Sequence, residues 1–259
     1  MTTTAERRRW ISEQVISAGH ITIADISTEF GVSEMTARRD LSALDRDGLV
    51  RRVHGGAIVS LGRSFEPPFR SRLNNQTEVK RRIGLKAAEL ILNGDSIALD
   101  VGTTTLEIVP GLASKRNLTI VASSLQIANE VVRTLPLENH SRLILTGGIV
   151  RPGELSMTGP IPEKSHRELH VDKAFLGMGG ISPRDGLTEY NIEDARIKQV
   201  LLEQAREKII VADGSKFGQT TFAHVGPLSK INTIVTDSSA PADILKEIEA
   251  AGVTVIIAD

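Results

Sequence analysis

The chain has 259 residues, 31 basic and 32 acidic side chains, a formal net charge of −1, 3% aromatic residues and no cysteine. That length holds a small domain and a larger one with its own core, and a charge near zero means that any affinity for nucleic acid must come from a local patch. The composition excludes disulfides, cysteine–zinc sites and thiol chemistry, and argues against base stacking on aromatic platforms.

Residues 5–18, AERRRWISEQVISA, read as a helix with Trp10, Ile11, Val15 and Ile16 near one stripe and Gly19 as its stop. Its Arg7, Arg8 and Arg9 suit phosphate contacts or a plain helix surface equally well. Ile21 and Ile23 open the next stretch, in which Ala24, Ile26 and Phe30 fit one face of a short helix ended by Gly31. Ser33 is a candidate N-cap, and Glu34 in the first turn suits the positive end of the helix dipole. The helix it starts is expected over 34–45, with Met35, Leu41 and Leu44 facing inward and Thr36, Arg38 and Arg39 on the other face. Asp47-Gly48 signals a turn, and Leu49 to His54 alternates as a strand leading into Gly55-Gly56.

Two short helices joined at a glycine, the second bearing side chains that reach base edges, make a helix-turn-helix. The hairpin after it makes a wing. Arg38 and Arg39 would contact guanine or phosphate, and Thr36 a base edge or thymine methyl. Arg51, Arg52 and His54 in the wing would touch phosphate or the minor groove. Residues 1–57 are therefore expected to form a DNA-binding domain for double-stranded DNA. Residues 58–75 contain Pro67-Pro68 flanked by Phe65 and Phe69 and read as a connector that docks on a surface.

From Gln76 the pattern changes. QTEVKRRIGLKAAELI is an amphipathic helix with Val79, Ile83, Ala87 and Leu90 or Ile91 inward, ended at Asn93-Gly94-Asp95. Then short apolar runs alternate with helical stretches: SIALD, NLTIVA, RLILT, KAFLG, KIIVA, NTIVT and VTVIIA. That alternation predicts an α/β domain over 76–259 with a mostly parallel sheet buried on both faces. Ligands of such sheets bind beyond the carboxyl ends of the strands. There the chain places Asp100, Gly102, Thr103, Thr104 and Thr105, then Ser123 and Ser124, then Lys216. A loop of this kind can cradle a phosphate, and it can equally be a helix cap. It lacks the GK[ST] of a Walker loop and the glycines of a dinucleotide fingerprint.

The string VSEMTARRDLSALDRDGLVRRVHGGA resembles the winged helix-turn-helix of the DeoR-type bacterial regulators. D-x-GTTT, TGG-x-x-R at 146–151, D-x-AFLG-x-GGI at 172–181, GLT at 186–188 and ADGSKFG at 212–218 resemble the effector domain of the same family. The resemblance covers essentially the whole chain. It implies a regulator, most often a repressor of a carbohydrate operon, controlled by a phosphorylated sugar or polyol. It also implies a sensor fold akin to ribose-5-phosphate isomerase, with Gly102 to Thr105 matching the isomerase phosphate loop. The isomerase catalytic aspartates fall on Leu176-Gly177-Met178-Gly179, which has neither. The alternative is a sugar-phosphate isomerase with an accessory DNA-binding domain, for which Glu189, Glu193, Asp194 and Lys198 supply acid–base groups. A third reading is a DNA-binding protein with an inert α/β oligomerisation domain. No cofactor and no metal are expected. Helix-turn-helix proteins commonly read two half-sites, so a dimer or tetramer is expected. The first residues lack the apolar core of a signal peptide and no run reaches the roughly 18 apolar residues of a membrane span, so a cytoplasmic location without membrane contact is expected.

Overall fold

A computed structural model of the chain describes residues 3–47, 49–59, 62–136 and 140–259. It divides into two compact units, Met1–Asn75 and Gln76–Asp259.

The first unit runs α1 (Thr4–Ala18), β1 (His20–Thr22), α2 (Ile23–Phe30), α3 (Glu34–Arg46), β2 (Val50–Val53), β3 (Gly56–Val59) and α4 (Phe69–Asn74). Local chemistry sets the helix ends. Thr3 and Glu6 form a capping box on α1, and Thr22 and Asp25 form one on α2. Gly19 and Gly31 end those helices in the left-handed conformation. Ser33 caps α3 by accepting from the Thr36 amide at 3.3 Å. Ile11, Val15, Ile26, Leu41, Leu44, Val50 and Ala57 form the core, and Trp10 meets Phe30 edge-on at 5.0 Å between ring centroids. The strands pair antiparallel in the order β1-β3-β2. A side chain at Gly56 would collide with the Ile21 carbonyl, so this pairing requires glycine there.

Three expectations change. Met35 is 62% exposed, because it lies two residues, hence over half a turn, from the inward Ala37. Ile16 and Ala24 are exposed as well, each just off its helix's buried stripe. The wing hairpin includes Ile58 and Val59, since β3 pairs with β2 as far as Val59 with Val50. Within the connector, Phe69 is buried and starts α4, while Arg72 donates to the Pro67 carbonyl at 2.9 Å and pairs with Glu66 at 2.8 Å. Gly48 of the expected turn, and Ser60 and Leu61, lie outside the described residues.

The second unit begins with α5 (Thr77–Ala88), β4 (Ser96–Leu99), α6 (Thr103–Leu106), β5 (Thr119–Ala122) and α7 (Leu125–Thr134). Next come β6 (Arg142–Leu145), β7 (Ile149–Arg151), β8 (Ser156–Thr158), α8 (Pro160–Arg167) and β9 (Val171–Leu176). It continues through β10 (Gly180–Ser182), β11 (Gly186–Glu189), α9 (Ile192–Gln204), β12 (Ala205–Val211) and β13 (Ala223–Gly226). It ends with β14 (Thr233–Thr236), α10 (Ala242–Ala250) and β15 (Thr254–Ile257). Seven strands form a parallel sheet in the order β15-β14-β12-β9-β4-β5-β6. Alternate residues of each strand enter opposite cores: Ala98, Val121, Ala174 and Ile210 on one face, Ile97, Leu99, Ile120 and Phe175 on the other. An antiparallel trio, β10-β11-β13, and the β7-β8 hairpin complete the unit. No helix of the described residues is long and apolar enough to cross a membrane.

The sheet order fixes where a ligand can go. From β4 the chain builds outward through β5 to the β6 edge, returns to place β9 on the other flank of β4, then builds toward β15. The topology therefore reverses between β4 and β9, where open α/β sheets have their crevice. Asp100 to Thr105 follow β4, and Gly177 to Gly179 follow β9.

Candidate functional site

The first unit presents a basic helix face. Ala37, Asp40, Leu41 and Leu44 of α3 point into the core, and Arg38 and Arg39 point away from it. Arg38 leans on Glu34 at 3.3 Å, an exposed pair one turn apart that water screens. The Ser33 and Thr36 hydroxyls lie 3.1 Å apart at the cap. Arg51 and His54 of the wing are exposed. Arg52 ties the wing to α3: its amide donates to Asp45 at 3.1 Å and its guanidinium to Ser42 at 3.0 Å. The other anchor is buried. Asp40 accepts from Arg7 at 2.6 Å and Arg8 at 2.8 Å, so these two arginines of α1 hold α3 in place. Arg9 stays on the surface with Glu13.

In the second unit, the polar groups at the ends of β4 and β9 are linked. Lys198 of α9 donates to Asp100 in a very short contact, to Glu189 at 3.2 Å and to the Gly177 carbonyl at 2.8 Å. Gly177 in turn donates its amide to Asp100 at 3.1 Å. An ammonium has three donors, and all three are used. Burial works to lower the Lys198 amine; Asp100 and Glu189 outweigh it and hold the amine above its ordinary range. Burial pushes the Asp100 carboxyl up from 3.8 to about 6 against the pull of Lys198, and Glu189 adds to the rise. One cation between two carboxylates leaves a net negative, hydrogen-bonding cluster under the β4 loop. Such a cluster suits sugar hydroxyls and repels phosphate.

Thr103, Thr104 and Thr105 are buried. Thr105 Oγ1 has no hydrogen-bond partner among the described residues. It lies 3.3 Å from where a side chain at Gly102 would begin and 3.5 Å from the same point at Gly177. Two glycines thus leave space on either side of an unsatisfied hydroxyl, an arrangement that costs about 1–3 kcal/mol unless something pairs with it.

Next along the sheet, Ser123 at the end of β5 meets Thr146 at the end of β6 at 2.9 Å and His166 of α8 at 2.7 Å. Burial lowers His166 from 6.5 to about 4, so its ring is neutral at pH 7. Ser124 caps α7, accepting from the Ile127 amide at 3.3 Å. Arg151 pairs with Asp194 at 2.7 Å, and Thr158 donates to Glu193 at 3.1 Å, joining the β7-β8 hairpin to α9.

Asp100 and Gly102 to Thr105 therefore sit together with Ser123 and Ser124 one strand over. Lys216 does not join them by any hydrogen bond or ion pair of the described residues. It follows β12, and β9 stands between β12 and β4. Lys198 and Glu189, acid–base candidates in the sequence, form the interior of the site. Asp194, Lys198 and Leu201 recur at helical spacing within the buried residues of α9, a pattern that marks those charges as inward. Thr146 and His166 carry no comparable signal.

A model described as the DeoR-like helix-turn-helix domain matches residues 7–61, and one described as the DeoR C-terminal sensor domain matches residues 75–238. The chain is 34% identical to the HTH-type transcriptional regulator GlpR of Haloferax volcanii, covering 97% of each chain. It is 32% identical to the glycerol-3-phosphate regulon repressor of Escherichia coli K12, covering 93% of this chain and 94% of that one. A solved D-ribose-5-phosphate isomerase is similar over 55% of each chain, at 16% identity and a TM-score of 0.40.

Proposed function

Because this chain belongs to the DeoR family of helix-turn-helix transcriptional regulators, we propose that it represses a carbohydrate operon from the cytoplasm and leaves its operator when a phosphorylated sugar or polyol binds the second unit. Ser33, Thr36, Arg38 and Arg39 of α3 and Arg51, Arg52 and His54 of the wing meet the DNA in this reading. Two copies of the chain read two half-sites. The phosphate rests on Gly102, Thr103, Thr104 and Thr105, with Ser123 and Ser124 beside it. Asp100, held by Lys198, orients a sugar hydroxyl. Lys216 contributes only a more distant positive charge.

The observation that carries the effector site is the unsatisfied Thr105 hydroxyl between Gly102 and Gly177 at the topological switch point. Effector binding releases DNA only if it favours the arrangement that cannot bind the operator. A DNA duplex from upstream of the protein's own operon, followed by fluorescence anisotropy, tests the reading. Glycerol 3-phosphate and a panel of sugar phosphates are titrated in, with their unphosphorylated counterparts as controls. One phosphorylated compound should release the DNA and its unphosphorylated form should not. Thr104→Val should keep operator affinity and lose release. Release of that variant at wild-type effector concentrations would place the phosphate elsewhere.

A further inference from the structure

We infer that Met35 reads sequence by packing its thioether side chain against the 5-methyl group of a thymine in the major groove. This rests on the DNA-binding reading and adds to it a residue that makes an apolar, base-specific contact.

The inference begins with the helix period. Ala37, Asp40, Leu41 and Leu44 make the buried stripe of α3. Met35, Arg38, Arg39 and Ser42 each stand two residues earlier, about 200° around the helix, and so form the opposite face. On that face Met35 is the one apolar side chain among two arginines and a serine, and it is 62% exposed. The buried polar anchor of Asp40 with Arg7 and Arg8 keeps α3 from rolling to bury it.

The surroundings select the occupant. Arg38 and Arg39 flank Met35 one turn on, and the exposed Arg51 and Arg52 of the wing extend the positive face. Arg52 is joined to that face through Ser42. A cationic rim complements a phosphate backbone and disfavours an apolar protein partner at the same spot. Met35 is the second residue of α3, and the first turn of a recognition helix is the part that reaches base edges. In the major groove the thymine methyl is the apolar feature among donors and acceptors. An unbranched thioether adapts to such a group without needing a fixed rotamer.

Thymine and deoxyuridine differ by that methyl alone, which gives a direct test. The wild-type protein is used to enrich a duplex from a random-sequence pool. Each thymine of the enriched duplex is then replaced in turn by deoxyuridine, and affinities are measured by anisotropy. At one or more symmetry-related positions the wild type should lose about threefold to fivefold in affinity, the scale of one buried methyl group. Met35→Ala should bind the parent duplex more weakly by a similar factor and become indifferent to deoxyuridine at those positions. Arg39→Ala should bind more weakly yet keep the methyl dependence. Wild-type protein that binds its enriched duplex but ignores every thymine methyl would overturn this inference alone. So would Met35→Ala that keeps the wild-type pattern of methyl dependence. A wild type that enriches no sequence would overturn the DNA-binding reading and this inference with it.

Discussion

Replacing His166 with Gln should remove a pH-sensitive weakness from the second unit. His166 lies on the buried face of α8 with Nε2 2.7 Å from Ser123 Oγ, and glutamine can keep that hydrogen bond with no titratable ring. Burial lowers the folded-state value from 6.5 to about 4. The sign follows from proton counting: between those limits the unfolded chain holds the proton and the folded chain does not. His166 therefore contributes full stability above about 6.5 and loses it as pH falls toward 4. Each tenfold difference in proton affinity between the folded and unfolded chain is worth about 1.4 kcal/mol, so roughly 2–3 kcal/mol is lost between pH 7.5 and 4.5. In a unit of this size that corresponds to a melting-point drop of about 4–12 °C. Scanning calorimetry at the two pH values reads it. Trp10, the chain's sole tryptophan, reports the first unit by fluorescence and so identifies the other transition. Acid should lower the second-unit transition less in His166→Gln than in wild type, by about that margin. Equal losses in both proteins would show that the imidazole takes up its proton without leaving the fold, and the argument from burial would fail.

Asp100 runs the other way. Its raised value means that its contribution is present below 3.8 and fades as pH rises through about 6, opposing the gain from His166, so Asp100→Asn should make second-unit stability rise more steeply between pH 4 and 7. Calorimetry on the same pH series checks the slope; an unchanged slope counts against a desolvated carboxylate. Asp40→Ala should cost the first unit about 3–5 kcal/mol, because it strands the buried Arg7, whereas Arg9→Ala on the surface should stay within about 0.5 kcal/mol. Thermal melts followed by Trp10 fluorescence compare them, and equal melting points would refute the anchoring role. Arg38→Ala combined with Arg39→Ala should weaken operator binding at least about tenfold with no change in the Trp10 melt, since both side chains face away from the core. Undiminished affinity of that variant would remove α3 from the DNA interface.

Patterns along the chain were enough to determine the first three helices and the parallel strands. Threonine and serine caps, glycine stops and the apolar period specify α1, α2 and α3, because these signals act within one or two helical turns. The parallel strands were legible for a similar reason: a strand buried on both faces has to be apolar at nearly every position. The composition of the β4 loop, with its glycine and three threonines, marked it as a candidate site in the same way. Which strands are neighbours was not legible, since hydrogen bonding between parallel strands leaves no trace in local composition. Only the tertiary structure put β9 beside β4, brought Gly177 against Thr105 and left Lys216 two strands away. Only it made Lys198 and Glu189 the buried partners of Asp100. A charge in a sequence is ordinarily solvated, and it is buried when partners distant in the chain arrive to satisfy it. Met35 shows the converse. The apolar residue was expected inside, but the ion pairs of Asp40 with Arg7 and Arg8 set the rotation of α3, and that rotation turned Met35 outward.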